Sequence, residues 1–385
     1  MATTPPDQCA ACGENATIKC DNCIDHLDHH ALPTPTSYCS KDCQDAHQTQ
    51  HKDVCRKFNS TTLLYRTGKL LKQAFLEYRK VVYDCEVVSI EREKGRLHIH
   101  TNHAGDGTRM FRSLPSNLIH NLEEEHILLS HEGCVDAIAQ FQHLMTKFIT
   151  GRLHHAAMPY IELTLYTPDI VSSGGYMSEQ NSPMPTSEAT LVKSIDGVRA
   201  LDDTHPVKHE VAVVHLPQST FYLDLSGAQY GQSKAVLTQT EYIQRYVDKA
   251  AGKEVNQRKY GEVATARWNS AVGRPDSINF AQWEISGVLL SSLAAWEDKS
   301  GLTVHDLLRS KHAVFKSGVE ELMLQCRLDM IGMRGRMEMR PSFNPIVRGV
   351  QAACGSLKTG VETVKEKSRD EVNEVKNHLK WLMVN

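Results

Sequence analysis

The reading of this chain turns on four short stretches near its start: Cys9-Ala10-Ala11-Cys12, Cys20-Asp21-Asn22-Cys23, Tyr38-Cys39-Ser40-Lys41-Asp42-Cys43-Gln44 and His51-Lys52-Asp53-Val54-Cys55. Seven of the eleven cysteines fall within them; Cys85, Cys134, Cys326 and Cys354 are scattered over the remainder. The start of the sequence has no charged region followed by an apolar one, so we expect no secretory signal and an intracellular protein. In a reducing compartment a disulfide framework is disfavoured, and a cysteine cluster reads as a metal site. Two residues between cysteines form a knuckle that aims both thiolates at one ion. Cys39-x3-Cys43 and His51-x3-Cys55 have the i, i+4 spacing that puts two side chains on one helical face. Seven Cys and one His complete two four-coordinate sites with no open position, which predicts structural rather than catalytic zinc. Spacing alone does not choose between sequential and interleaved pairing.

The pattern from Cys9 to Cys55 closely resembles the MYND-type zinc finger. The resemblance implies interleaved ligands, with Cys9, Cys12, Cys39 and Cys43 on one Zn2+ and Cys20, Cys23, His51 and Cys55 on the other. It also selects His51 over His47, the competing eighth ligand four residues earlier. Two departures stand out: the link from Ile24 to Tyr38 is longer than the family usually has, and Gln48 stands where it often has an aromatic residue. The link reads as a polar, proline-bearing loop whose His26, His29 and His30 are solvated rather than ligating. Fingers of this family bind short, often proline-containing peptides, so the resemblance implies a protein or peptide partner. So small a segment with so few large apolar side chains depends on its metal to fold.

Composition agrees with a zinc-dependent interaction protein. The chain has 385 residues, 41% hydrophobic and 23% charged, enough to bury a sizeable core. Residues 1–60 hold 5 Lys+Arg against 8 Asp+Glu, which accounts for the whole net charge of −3. A duplex-binding module shows the opposite sign, so no nucleic-acid partner is expected of the finger. No apolar run approaches the length of a membrane span, so no membrane partner is expected either. The expected localisation is nucleus or cytoplasm.

Beyond the finger we expect an α+β body over residues 60–340 and an amphipathic tail helix over 349–384. Apolar periodicity predicts helices over Ser60–Val82, Glu132–Ile149 with Ser130 as N-cap, Glu241–Ala251, Ile278–Lys299 and Thr303–Met330. Gly301 separates the last two, and Thr303 with Asp306 suggests a capping box. Strands are expected over Cys85–Ile90 and Arg96–Thr101, turning at Glu93–Gly95, and over Val211–Leu216 and Phe221–Leu225 as an antiparallel hairpin. The polar stretch from Ser172 to Pro206 reads as a long loop. Gly227 to Gly231 reads as a turn, and Arg334, Arg336, Arg340 and Arg348 as part of a solvated linker.

The body resembles the uncharacterised region that follows the finger in a group of fungal MYND proteins, notably at Leu128-Leu129-Ser130-His131-Glu132-Gly133-Cys134 and Tyr222-Leu223-Asp224-Leu225-Ser226-Gly227-Ala228-Gln229-Tyr230-Gly231. That resemblance implies no known activity. SET-domain methyltransferases carry a related finger, but their Asn-His-Ser-Cys run is absent, and no such activity is expected. One enzyme alternative remains: Cys134, His209 and Asp224 follow the Cys, His, Asp order of transglutaminase-like thiol hydrolases and transferases. Its test is hairpin register. A loop of His215 to Gln218 sets His209 opposite Asp224, whereas a loop of Pro217 to Thr220 sets Asp224 opposite Val213. Against it, Cys134 lies on the apolar stripe Cys134, Ile138, Phe141, Met145 and Phe148, which predicts an inert core cysteine.

Overall fold

The computed structural model describes residues 8–23, 35–93, 96–102, 110–150, 163–167, 169–170, 188–194, 207–216, 219–246, 256–258, 262–272, 274 and 277–340. The expected tail helix over 349–384, His26, His29 and His30, and Arg348 lie outside them. The finger opens with two short paired strands, β1 (Ile18–Lys19) and β2 (Ser37–Tyr38). They lead into α1, a single helix of 41 residues, Lys41–Val81, capped by the Ser40 side chain accepting from Cys43 N–H. The helix expected from Ser60 therefore begins nineteen residues earlier. Its first half carries no apolar stripe, because its inward contacts are metal-site residues, and that hid it from a periodicity reading.

From Phe58 onward α1 is the axis of the body, burying Leu63, Leu64, Leu70, Leu71, Phe75 and Tyr78 in the main core. Three buried cations tie it to its neighbours through backbone carbonyls. Arg66 Nη1 donates to Leu308 O at 2.8 Å and Ser310 O at 2.6 Å. Lys72 Nζ donates to Gln232 O and Ser233 O, both at 2.9 Å. Arg79 Nε donates to Leu129 O at 2.9 Å and faces the Asp136 carboxylate at 3.4 Å. Each binds a chain turn that would otherwise bury unsatisfied acceptors.

After α1 come β3 (Glu86–Glu93) and β4 (Arg96–Asn102), paired antiparallel. Next are α2 (Leu122–Ser130), α3 (Cys134–Ala139) and α4 (Gln142–Met145), the last continued by a π-helical turn, Thr146–Thr150. The single helix expected over Glu132–Ile149 is thus broken into pieces. Ser130 ends α2 rather than capping its successor; Asn121 is the cap of α2, accepting from Glu124 N–H at 2.9 Å. Strands β5 (Leu163–Thr167), β6 (Asp169–Ile170), β7 (Glu188–Ser194) and β8 (Val207–Lys208) follow. A strand inside the stretch read as a loop is a correction: β7 runs parallel beside β4, which already supplies a paired template.

The hairpin is β9 (Val211–Leu216) and β10 (Ser219–Leu223), joined to β11 (Val236–Thr238) and helix α5 (Gln239–Tyr246). With β12 (Asn256–Arg258) these strands form an antiparallel sheet of order β11-β10-β9-β5-β12. One face, with Ala212, Val214, Phe221 and Leu223, joins the main core. The other, with Val211, Val213 and Tyr222, is covered by Tyr242 of α5, whose ring stacks on Tyr222 at 4.6 Å. Burial on both faces is why the strands read as apolar runs without alternation.

The remaining described elements are helices: α6 (Glu262–Val272), α7 (Ile278–Ser300), α8 (Val304–Arg309) and α9 (His312–Glu338). Gly301 closes α7 at φ 69°, a left-handed cap position that favours glycine, and Thr303 with Asp306 forms the expected capping box. The helix expected over Thr303–Met330 splits at Ser310, where Arg66 takes the carbonyls. Arg334 is no linker residue: it lies on α9 and donates to Val81 O at 2.9 Å and Phe111 O at 3.2 Å. The body is α+β with long C-terminal helices. Among the described residues, no helix is long and apolar enough to cross a membrane.

Candidate metal centre

Eight side chains of the finger collect into two groups, Cys9, Cys12, Cys39 and Cys43, and Cys20, Cys23, His51 and Cys55, with ligand atoms within 4.8 Å of one another in each. The pairing is interleaved. Its local causes are readable: Gly13, at φ 82°, lets the first knuckle fold back, with its N–H on Cys9 O at 2.9 Å. The second knuckle closes through Cys23 N–H on Cys20 O at 3.1 Å. The β1–β2 ladder then brings Tyr38 and Cys39 beside the first knuckle, through Ala10 N–H on Ser37 O and Thr17 N–H on Tyr38 O.

Cys43, His51 and Cys55 all sit on α1, but Cys39 does not: it lies in the turn before the N-cap. The expected i, i+4 helical pair is therefore true of His51 and Cys55 alone. Cys39 reaches Cys43 because the capped turn folds over the helix start, leaving the sulfurs 3.5 Å apart. His51 presents Nε2 to the second group, 3.5 Å from Cys23 Sγ, while its Nδ1 lies 3.3 Å from Thr36 Oγ1. That second contact orients the ring as outer partners of metal ligands do. His47 points elsewhere, its Nδ1 3.1 Å from the Tyr38 hydroxyl.

The donor set fits zinc. Tetrahedral zinc with sulfurs at about 2.3 Å places them about 3.8 Å apart, and Cys12–Cys39, Cys12–Cys43 and Cys23–Cys55 stand at 3.5, 3.8 and 3.5 Å. At Cys23 and Cys39 such crowding, without a cation, opposes ionisation. Burial first, then the charges of Cys55 and Cys20, push the Cys23 thiol far above its ordinary value. Contacts with Cys43 and Cys12 push Cys39 up to about 12. Burial lowers His51, which favours the neutral imidazole a metal needs. Cys9, Cys20, Cys55 and Tyr38 form the finger's only buried cluster among the described residues, so the sulfurs stand where an apolar core would.

The residues of the enzyme alternative are also placed. The hairpin pairs Leu216 with Ser219 and Ala212 with Leu223, a register midway between the two considered from sequence. Continued by one residue it sets Asp224 opposite Val211, making His209 its diagonal neighbour on the same face. His209 Nε2 lies 2.9 Å from Asp224 Oδ2, both residues buried. Cys134 is half-buried at the start of α3, not a core residue, and its sulfur interacts with the His209 ring.

Residues 9–55 match the family model described as MYND finger. No curated protein and no solved structure matches the chain. MYND fingers are generally protein-interaction modules. Spacing, interleaved tetrads and family match agree, and residues 9–55 of this chain are a MYND finger with places for two zinc ions.

Proposed function

We propose that the protein is a zinc-dependent adaptor or regulator that binds a protein or peptide partner through its finger, in the nucleus or cytoplasm. In this reading Cys9, Cys12, Cys39 and Cys43 hold one structural Zn2+, and Cys20, Cys23, His51 and Cys55 hold the other. The supporting observation is the closure of both groups: four protein donors fill each tetrahedron, leaving no position for a substrate or activated water. Function then belongs to the finger's surface. That surface carries exposed Ile18 and Val54 among charged side chains, including a Lys41–Asp21 pair at 3.0 Å. Because α1 runs unbroken from the second tetrad into the core, a partner on the finger is held rigidly against the body. The reducing nucleus and cytoplasm are the compartments in which seven thiols stay available to metal.

The experiment is a binding titration of proline-containing peptide pools against the full-length protein before and after zinc chelation. The proposal expects saturable binding that chelation abolishes and zinc restores. Binding indifferent to zinc would sink it.

A further inference from the structure

The two stretches singled out in the body, Leu128–Cys134 and Tyr222–Gly231, meet at one place. Between α2 and α3 the chain turns through Glu132 at φ 52°, the one non-glycine residue at positive φ among the described residues. Such a conformation costs on the order of 1 kcal/mol and persists only where surroundings impose it. Here they do: Glu132 N–H donates to Gln229 Oε1 at 3.2 Å. A Cβ at Gly133 would lie 2.9 Å from Phe75 Cζ and 3.1 Å from Ser130 O. The backbone of the two residues before Cys134 is therefore fixed on both sides.

The imidazole beside Cys134 is fixed as tightly. His209 is fully buried, with Nε2 on Asp224 Oδ2 at 2.9 Å and Tyr230 packed edge-on at 4.9 Å. Asp224 is itself held, its Oδ1 accepting Ser226 N–H at 3.1 Å, and Gly227 packs so close that a Cβ there would lie 2.6 Å from Oδ2. Asp224 as acceptor puts one proton on Nε2, and Nδ1, which makes no well-formed hydrogen bond, is the position left for the proton shared with the Cys134 sulfur. Burial alone would lower His209, but the Asp224 carboxylate and then the Cys134 sulfur push it up to about 10. Of the other charged groups nearby, Lys72 acts on Asp224, and Glu132 and Asp224 act on Tyr230.

We propose that Cys134, His209 and Asp224 form a thiol acyl-transfer site in the body, with Cys134 as nucleophile, His209 as proton carrier and Asp224 as positioning residue. The substrate class is an acyl group on an amide or ester. His209, held protonated by Asp224, already carries on Nδ1 the proton given up by Cys134, and Sγ bonds to the carbonyl carbon as the C=O π pair moves to oxygen. The tetrahedral species collapses by breaking the C–N or C–O bond, and the leaving amine or alcohol takes the proton from His209. Water then attacks the thioester, giving its proton to His209; the C–S bond breaks, the carboxylic acid departs and the resting Cys134–His209 pair, with its shared proton on His209, is restored. Nothing is oxidised or reduced. Gln229, anchored at Glu132, carries amide donors of the kind that stabilise the oxyanion.

The test uses the zinc-loaded full-length protein, with p-nitrophenyl acetate and iodoacetamide as probes and peptide mass mapping as readout. Cys85 is the internal comparator: it is also half-buried, and burial pushes its thiol up to about 12. The proposal expects acetylation mapped to Cys134 and alkylation of Cys134 at least about tenfold faster than of Cys85. Asp224→Asn should slow acetylation about a hundredfold, with partial rescue in Asp224→Glu, which a purely structural carboxylate would not show. Because those variants risk misfolding, the wild-type comparison decides alone. A Cys134 that reacts no faster than Cys85, or acetyl groups found only elsewhere, overturns the proposal.

Discussion

His51 and His47 lie one helical turn apart on α1, yet only one faces the metal site. Nε2 of His51 joins Cys20, Cys23 and Cys55, while His47 bonds the Tyr38 hydroxyl. His51→Ala should lower bound zinc from two ions to one, whereas His47→Ala should leave both in place; metal analysis of the purified variants separates them. A second residue-scale expectation concerns His209, whose folded-state pKa of about 10 stands above its ordinary 6.5. The folded state binds this proton more tightly than the unfolded chain. Its stabilisation is therefore complete below about pH 6.5 and is lost as pH rises through about 10. The melting-temperature advantage of the wild type over His209→Gln should be larger near pH 6 than near pH 10, and an advantage independent of pH would contradict the ion pair.

At the scale of elements, the helix ends make the sharpest predictions. Thr303 caps α8 in a reciprocal box with Asp306, its Oγ1 accepting Asp306 N–H at 3.1 Å. Thr303→Ala should cost about 1 kcal/mol in urea unfolding. Gly133→Ala should cost more, about 1–3 kcal/mol, since the new methyl meets Phe75 and the Ser130 carbonyl. What was legible in the sequence follows the same physics. Ligand spacing was readable because metal geometry is short-range and strict. Gly301 and the Thr303–Asp306 box were readable because caps are local. The first half of α1 was not, since Lys41 to Lys57 owes its helix to the cap at Ser40 and to the metal side chains rather than to an apolar stripe. The break at His131–Gly133 was hidden because it is imposed from outside, by Gln229, Phe75 and Arg79. The hairpin register depended on a turn two residues tighter than either considered, and with it the approach of His209 to Asp224. Strand β7 lay in a polar stretch whose pairing comes from β4.

For the whole molecule, the consequence of α1 is that finger and body share one helix but not one core. The sulfur cluster with Tyr38 is separate from the main core, which α1 enters at Leu63. Zinc removal should therefore unravel β1, β2 and α1 up to about Lys57, with a partial loss of helical circular dichroism, while the body keeps a cooperative melt. Loss of all structure together would show that the finger is part of the folding core. The measurement that bears most directly on the account is the zinc content of the full-length protein, taken together with that of Cys20→Ser and Cys9→Ser. Two ions in the wild type and one in each variant are expected, with the surviving ion in each held by the other interleaved tetrad. One ion or none in the wild type, or both lost on either substitution, would contradict two independent closed sites.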